Sequence, residues 1–514
     1  MRLTHYPRIR HKAEEKHATT RQPNGIITNF GRTKSKRHMR IITLKRRALS
    51  LCAALLFAAA AMAQAGKAKY VFYFIGDGMG VNQVNGTETY LAAVEGRIGT
   101  SPLCFAQFPH AGLATTFSAT NGVTDSAAGG TALATGHKTK NGAIGVEADL
   151  STRANSIAAK AKAQGKAVGI ATSVSVDHAT PASFYAHVAD RNMYHQIGKD
   201  LVTAGFDFYA GSDFLQPSDG HEGKDLYAQC RDAGYTIARG YADYRRKARK
   251  AEKMILLQTE AASRKNHTSI PYAIDRKKGD LTLQDITRAA IRFLSQKGTD
   301  GFFLMVEGGK IDWACHSNDA AAAFREVADL DNAVKVAYEF YEQHPDETLI
   351  IITADHETGG IFLGTGAYEL HTDLLKFQRQ SAEAFSRMLA EQHQKEGAGF
   401  TWDFVRGQLQ ENFGFWTHIP LDDQETSQLK QAYEAFCEGV AKDHKTLYAS
   451  ENIVAATARK LMAQKAMVGW GSNGHSNGYV PVFAIGAGAE TFDGRIDNTE
   501  IPEKIARAAG YGNE

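Results

Sequence analysis

Apolar residues fall along this chain in short unbroken runs, separated by stretches of helical period. The runs are Tyr70 to Ile75, Ala111 to Phe117, Ala167 to Thr172, Phe206 to Ala210, Met254 to Leu257, Phe302 to Val306, Leu349 to Thr353 and Val480 to Ile485. A strand solvated on one face alternates apolar and polar residues, so continuous runs predict strands covered on both faces. Between them, Ser156 to Gln164, Thr282 to Gln296, Asn318 to Tyr341 and Glu500 to Ala509 carry apolar positions at helical spacing. This alternation predicts a three-layer α/β/α sandwich with a mostly parallel central sheet.

From about residue 368 to 464 the pattern turns polar, helical and rich in aromatics, with Ser381 to Gln394 and Ser427 to Lys442 amphipathic and no recognisable strand. It predicts an inserted helical subdomain. No period of 20 to 50 residues repeats, which excludes a solenoid or propeller.

The N-terminus follows another logic. Lys45, Arg46 and Arg47 precede an apolar stretch from Leu49 to Ala61, and Ala61-Met62-Ala63 is an A-x-A cleavage site; together they predict a signal peptide over 39–63. The apolar stretch is short of the roughly 20 residues that span a bilayer. Leu51 before Cys52 is unsuited to a lipid-anchor signal. Met39 stands where a start would fall, so 1–38 reads as a disordered upstream extension and 64–514 as the mature domain. Residues 1–63 hold 14 Lys and Arg against 2 Asp and Glu, leaving 45 basic and 54 acidic residues, net −9 where the whole chain has +3. An acidic mature chain offers no electrostatic footing for nucleic acid. The expected location is periplasmic or secreted, with no stable membrane anchor. Cys104, Cys230, Cys315 and Cys437 remain after cleavage, in any of three pairings, and lack the spacing of a zinc cluster.

Candidate chemistry sits at the ends of the runs. Three of them lead into an acid, in Ile75-Gly76-Asp77, Val306-Glu307 and Ala354-Asp355. Ligands in open α/β sheets bind at the carboxyl ends of strands, so these acids share one rim. An acid after a strand also serves as a helix N-cap, but three converging acids repel unless cations join them. Asp312 and His316 lie four apart, on one helical face, and His356 follows Asp355; such nitrogen and oxygen donors suit Zn²⁺ and Mg²⁺. His475 lies in the loop Gly474-His475-Ser476-Asn477-Gly478. Ser126 precedes the small residues Ala127 to Ala134, which would start a helix whose N–H groups face an anion brought to its hydroxyl.

Five motifs in order, Gly76-Asp77-Gly78-Met79-Gly80, Val123-Thr124-Asp125-Ser126-Ala127-Ala128, His178-Ala179-Thr180-Pro181-Ala182, Glu307-Gly308-Gly309-Lys310-Ile311-Asp312 with His316, and Thr353 to Gly360, resemble the alkaline phosphatase family. The resemblance covers Tyr70 to about Gly364 and resumes at Gly474. It implies a phosphoric monoester hydrolase with Ser126 as nucleophile and Arg191 as phosphate clamp. It further implies one zinc on Asp312, His316 and His475, a second on Asp77, Asp355 and His356, and a magnesium on Asp77, Thr180 and Glu307. His178 and Trp313 stand where the best-known bacterial pattern has aspartate and lysine, which leaves the magnesium affinity open. Dimers are common in that family, although nothing in this sequence marks an interface.

Two decoys fail on context. The Gly474 to Gly478 loop matches a nucleophile elbow, but a strand follows it and no histidine lies downstream of His475. Gly76, Gly78 and Gly80 enclose an acid that would repel a pyrophosphate. The remaining alternatives are a phosphodiesterase or sulfatase-like hydrolase on the same frame, and a non-catalytic phosphate- or metal-binding protein.

Overall fold

The computed structural model describes residues 67–512 except 219, 221–223, 267, 268, 298, 299, 367 and 441. The expected extension over 1–38 and signal peptide over 39–63 lie outside the described residues.

Ten strands hydrogen-bond into one sheet. In chain order they are β1 (Tyr70–Ile75), β2 (His110–Thr115), β3 (Ala167–Thr172), β4 (Phe208–Gly211), β5 (Tyr235–Arg239), β6 (Lys253–Leu257), β7 (Phe302–Glu307), β8 (Thr348–Thr353), β9 (Val480–Gly486) and β10 (Gly494–Asp497). Across the sheet they run β10, β2, β9, β8, β1, β7, β3, β4, β6, β5. Only β9 is reversed, against β2 and β8. Successive strand residues point to opposite faces, and every residue of β3, β7 and β8 is buried, so the central strands are covered on both sides as the layered architecture requires.

The sheet edges depart from expectation. β5 and β10 have no counterpart among the apolar runs, and both are edge strands, with only two residues and one residue buried respectively. An edge has less to bury, so no continuous apolar run marks it. β2, next to the β10 edge, buries only Ala114, contrary to the two-sided burial inferred from its composition.

Register sets the rim. Ile75 pairs with Glu307 on one side and Thr353 on the other, and Glu307 also pairs with Thr172. Asp77 and Asp355 therefore leave adjacent strands two residues past the same paired position, with Glu307 between β1 and β3.

Between 368 and 464 lie the helices Ala382–Glu396, Trp402–Phe413 and Asp423–Cys437, with Ile453–Lys465 closing the segment. Each starts at a residue whose side chain accepts from the first turn: Ser381, Thr401, Asp422 and Asn452. Their apolar faces gather a second core, with Phe385, Leu409, Phe413 and Leu461 packed around Tyr90 and Phe324. The segment is not strand-free, since His444–Lys445 and Ser450–Glu451 pair as a hairpin. Cys104, Cys230, Cys315 and Cys437 are free thiols. No helix among the described residues is long and apolar enough to cross a membrane.

Candidate active site

Ser126 opens the helix Ser126–Thr135, and its N-cap is the preceding Asp125, whose carboxylate accepts from Ala128 N at 3.0 Å. Capping thus falls to its neighbour, and the hydroxyl is left to other partners. All ten residues of this helix are buried. The small side chains are required: a Cβ on Gly129 would lie 2.8 Å from the Asp355 carbonyl oxygen. At Gly78, φ is +74°, and a Cβ would come within 2.9 Å of Asp312 Cα. These contacts pack the nucleophile helix, the β1 turn and the Asp312 helix Lys310–His316 against one another.

One histidine touches the serine, and two more gather behind it. Ser126 Oγ lies 3.2 Å from His356 Nε2, which is itself 3.4 Å from both Asp77 Oδ1 and Asp355 Oδ2. His316 Nε2 sits 3.3 Å from Asp312 Oδ2 and 3.1 Å from His475 Nε2. The distant loop carrying His475 reaches the rim because His475–Ser476 pairs antiparallel with Glu357–Thr358, and the His475 ring stacks on His356 at 3.7 Å.

The opposite ring nitrogens assign the tautomers. His316 Nδ1 donates to the Asn473 carbonyl at 2.5 Å and His475 Nδ1 to the Thr124 carbonyl at 2.8 Å. His356 Nδ1 lies 3.2 Å from Thr358 Oγ1, whose own proton goes to Asp312 Oδ1 at 2.5 Å. A carbonyl cannot donate, and the Thr358 proton is already used, so all three Nδ1 atoms carry hydrogen. In the neutral imidazoles all three Nε2 atoms are then lone pairs aimed at one another and at carboxylates. That arrangement repels in the absence of a cation, and it is the orientation imidazoles take as metal ligands.

The carboxylates show the same deficit. Both oxygens of Asp77, Oε1 of Glu307 and Oδ2 of Asp312 are buried and accept no hydrogen bond among the described residues. Burial first, then Asp355, Asp312 and Glu307, pushes Asp77 well above the usual carboxylate range. Burial raises Glu307 to about 8 and Asp355 to about 7. Asp312 goes the other way: burial opposes its charge, but positive charge on His316, His475 and His356 holds it below its ordinary value, the service a cation on the same nitrogens would render. A tetrahedral Zn²⁺ with ligands at 2.0–2.1 Å holds donor atoms about 3.3 Å apart, close to the spacings around His316 and His356. Three sets of donor atoms cluster tightly enough for an ion: Asp312, His356 and His475; Asp77, Asp355 and His356; and Asp77, His178 and Glu307. Thr180 Oγ1 donates to Asp355 Oδ2 at 3.4 Å, beside the last two sets.

Arg191 lies against the cap of the nucleophile helix, with Nη1 3.1 Å from Asp125 Oδ2 and Nη2 3.2 Å from Tyr448 Oη. All ten residues singled out in the sequence therefore meet at one rim.

A sequence model of the alkaline phosphatase family matches residues 68–511. The chain belongs to the alkaline phosphatase family. It is 33% identical to alkaline phosphatase 3 of Bacillus subtilis over 450 residues, which are 86% of this chain and 89% of that protein. The cold-active alkaline phosphatase of Shewanella sp. superposes with a TM-score of 0.72 at 30% identity, over 86% of this chain and 99% of that one. A variant of the enzyme from the Antarctic bacterium TAB5, at TM-score 0.61 and 26% identity over 87% of this chain and 99% of that one, is described with magnesium in its M3 site. As an alkaline phosphatase the chain is a hydrolase of phosphate monoesters, in a metal-dependent family.

Four residues of the site escaped sequence reasoning as participants. Thr358 joins Asp312 to His356 and was visible only as part of the motif around Asp355. His178, noted as a departure from the common pattern, has both ring nitrogens buried without a hydrogen bond and faces Asp77 and Glu307; burial first, then Arg191, lowers it to about 3, so the ring is a neutral donor. Asn473 turns His316 through its carbonyl. Tyr448 arrives from the hairpin and had no signal in the sequence.

Proposed function

We propose that this protein is an exported phosphomonoesterase that turns over through a phosphoserine on Ser126 and carries two zinc ions and one magnesium. The observation that carries this reading is the clustering of three imidazole Nε2 atoms and unpartnered carboxylate oxygens beside the Ser126 hydroxyl. Asp312, His316 and His475 would hold one zinc, and Asp77, Asp355 and His356 the other. Asp77, Thr180 and Glu307 would hold the magnesium, with the His178 ring beside them. Bound there, the zinc ions would favour the serine alkoxide, acidify a water and offset the charge of the phosphate.

The chain's own groups set the geometry of the transfer. Ser126 Oγ forms a bond to phosphorus as the ester oxygen departs and takes a proton. Water then attacks the same phosphorus from the vacated side, the P–Oγ bond breaks, and the serine recovers its proton as inorganic phosphate leaves. Arg191 anchors one N–H of each Nη on Asp125 and Tyr448 and keeps the second for non-bridging phosphate oxygens. A dianionic terminal phosphate offers more such oxygens than a diester and more charge than a sulfate monoester, which favours the monoesterase over the diesterase and sulfatase-like alternatives. The expected location remains periplasmic or secreted, and a homodimer is the assembly the family leads us to expect.

The test is the initial hydrolysis rate of an aryl phosphate monoester beside its matching diester, at alkaline pH, with and without added zinc and magnesium. A metal-dependent preference for the monoester is expected. A diester preference would move the protein to the phosphodiesterases, and a metal-loaded protein that turns over neither would be a binding protein.

A further inference from the structure

The hairpin inside the helical segment reaches the active site through one side chain. Its strands His444–Lys445 and Ser450–Glu451 pair antiparallel, and Thr446 N donates to the Ala449 carbonyl across the turn. Its base is held firmly: Glu451 pairs with Arg459 at 3.1 Å, both side chains buried, and Asn452 bonds to Ser386 through its backbone N–H at 2.8 Å and its side-chain amide at 3.0 Å. From this base the turn projects Tyr448 away from the core of its own helices and onto the core of the sheet domain.

There the phenol ring stacks on Trp313 with centroids 4.6 Å apart and planes 13° apart. The tryptophan also has the buried Lys310 as a partner, whose Nζ lies 4.3 Å from the centre of the indole. The tyrosine ring also stands 5.6 Å from the rings of both His178 and His316. Its hydroxyl accepts from Arg191 Nη2 at 3.2 Å. Asp125 restrains one side of the guanidinium and Tyr448 the other, and Tyr448 is the restraint contributed by the helical segment.

We propose that Tyr448 is a positioning residue for Arg191, through which the helical segment sets the affinity of the site for phosphate. Trp313 serves as the platform that fixes the phenol. Free rotation of the guanidinium about its long side chain would otherwise have to be frozen each time phosphate binds, and a preorganised fork loses less on binding. Burial also raises the phenol's pKa, so the hydroxyl stays neutral and leaves the guanidinium charge for the substrate.

The proposal rests on Arg191 being the phosphate clamp, and the experiment separates the two. Inhibition by inorganic phosphate is measured on zinc-loaded wild type, Tyr448→Phe, Arg191→Ala and the double variant, with zinc content and thermal midpoint read alongside. Tyr448→Phe keeps the ring stack and its zinc, and is expected to raise the inhibition constant about three- to tenfold, the net worth of one ordinary hydrogen bond. In the Arg191→Ala background the same substitution is expected to change it less than about twofold. An equal effect in both backgrounds, no effect in either, or loss of zinc from Tyr448→Phe overturns the proposal. Wild-type phosphate inhibition in Arg191→Ala refutes the clamp itself, and strong weakening there with none in Tyr448→Phe refutes only the role of the tyrosine.

Discussion

Two buried polar clusters, one on the helix Ala320–Tyr341 and one at the sheet rim, solve the burial of charge in opposite ways. Where that helix meets the loop after β6, Arg276 grips Asp329 with two parallel contacts of 2.5 and 2.6 Å, and the side chains are only 12% and 9% exposed. Nearby, Glu326 accepts the Ala273 backbone N–H and Lys310 is capped by the Tyr272 ring and Ser269. Charge there is answered by protein. At the rim, Asp77, Glu307, Asp312 and Asp355 are fully buried, with no lysine or arginine paired to any of them among the described residues, and histidine Nε2 atoms face three of them. Burying an unpaired charge costs several kcal/mol, so a cluster left open in this way is built for cations that arrive from outside. A structural ion pair is complete in itself, whereas a functional one is deliberately short of a partner.

That contrast is open to attack by experiment. The largest expected effect is on the rim: chelation of the bound metals should abolish turnover and lower the unfolding free energy by at least about 4 kcal/mol, the value for a ligand at roughly 1,000 times its Kd. Retention of the thermal midpoint after chelation would mean that the rim is balanced from within. Arg276→Met should cost about 3 kcal/mol by stranding Asp329, and the cost should be the same in metal-loaded and chelated protein. If the loss instead disappears on chelation, the two clusters are not independent.

A smaller effect is expected from Thr358→Val, which deletes the hydroxyl shared by Asp312 and His356. Its zinc affinity, read by competition with a chromogenic chelator, should fall about 10- to 100-fold; unchanged affinity would show that the ligands hold their orientation without it. The smallest concerns Asp275, which accepts both the N–H and the hydroxyl of Ser381 and so ties the helical segment to the sheet domain. Burial, only partly offset by those hydrogen bonds, raises it to about 6. A raised acid contributes stability that is present below its unfolded pKa of about 3.9 and lost as pH rises through 6. Asp275→Asn should therefore flatten the decline in thermal midpoint between pH 4 and 6, and an unaltered slope would clear this residue of the effect.

The parts of the fold that could be read beforehand are those where one physical cause dominates. Central strands such as Thr348–Thr353 bury both faces and must be continuously apolar. The amphipathic stretch read from Ser381 begins there because such a side chain satisfies the free N–H groups of a first turn, whereas the one read from Ser427 starts four residues earlier, at Asp423, capped by Asp422. The edge strands Tyr235–Arg239 and Gly494–Asp497 were illegible because little burial is demanded of them, and the two-residue strands of the hairpin were too short to show a period. Asp312 and His316 announce a shared face through their spacing. His475 does not, because it reaches the rim through a strand pair with Glu357–Thr358 formed across more than a hundred residues of chain.

The order of apolar runs, and the acids that close three of them, were enough to specify an α/β sheet with a charged carboxyl-end rim, since backbone period and burial are local consequences of side-chain type. Which nitrogen of each histidine faces that rim depends on the carbonyls of Asn473 and Thr124 and the hydroxyl of Thr358. Which group restrains Arg191 depends on a tyrosine more than 250 residues away. Such choices belong to tertiary structure because a hydrogen bond is directional and short, and only the folded chain brings its two ends within bonding distance.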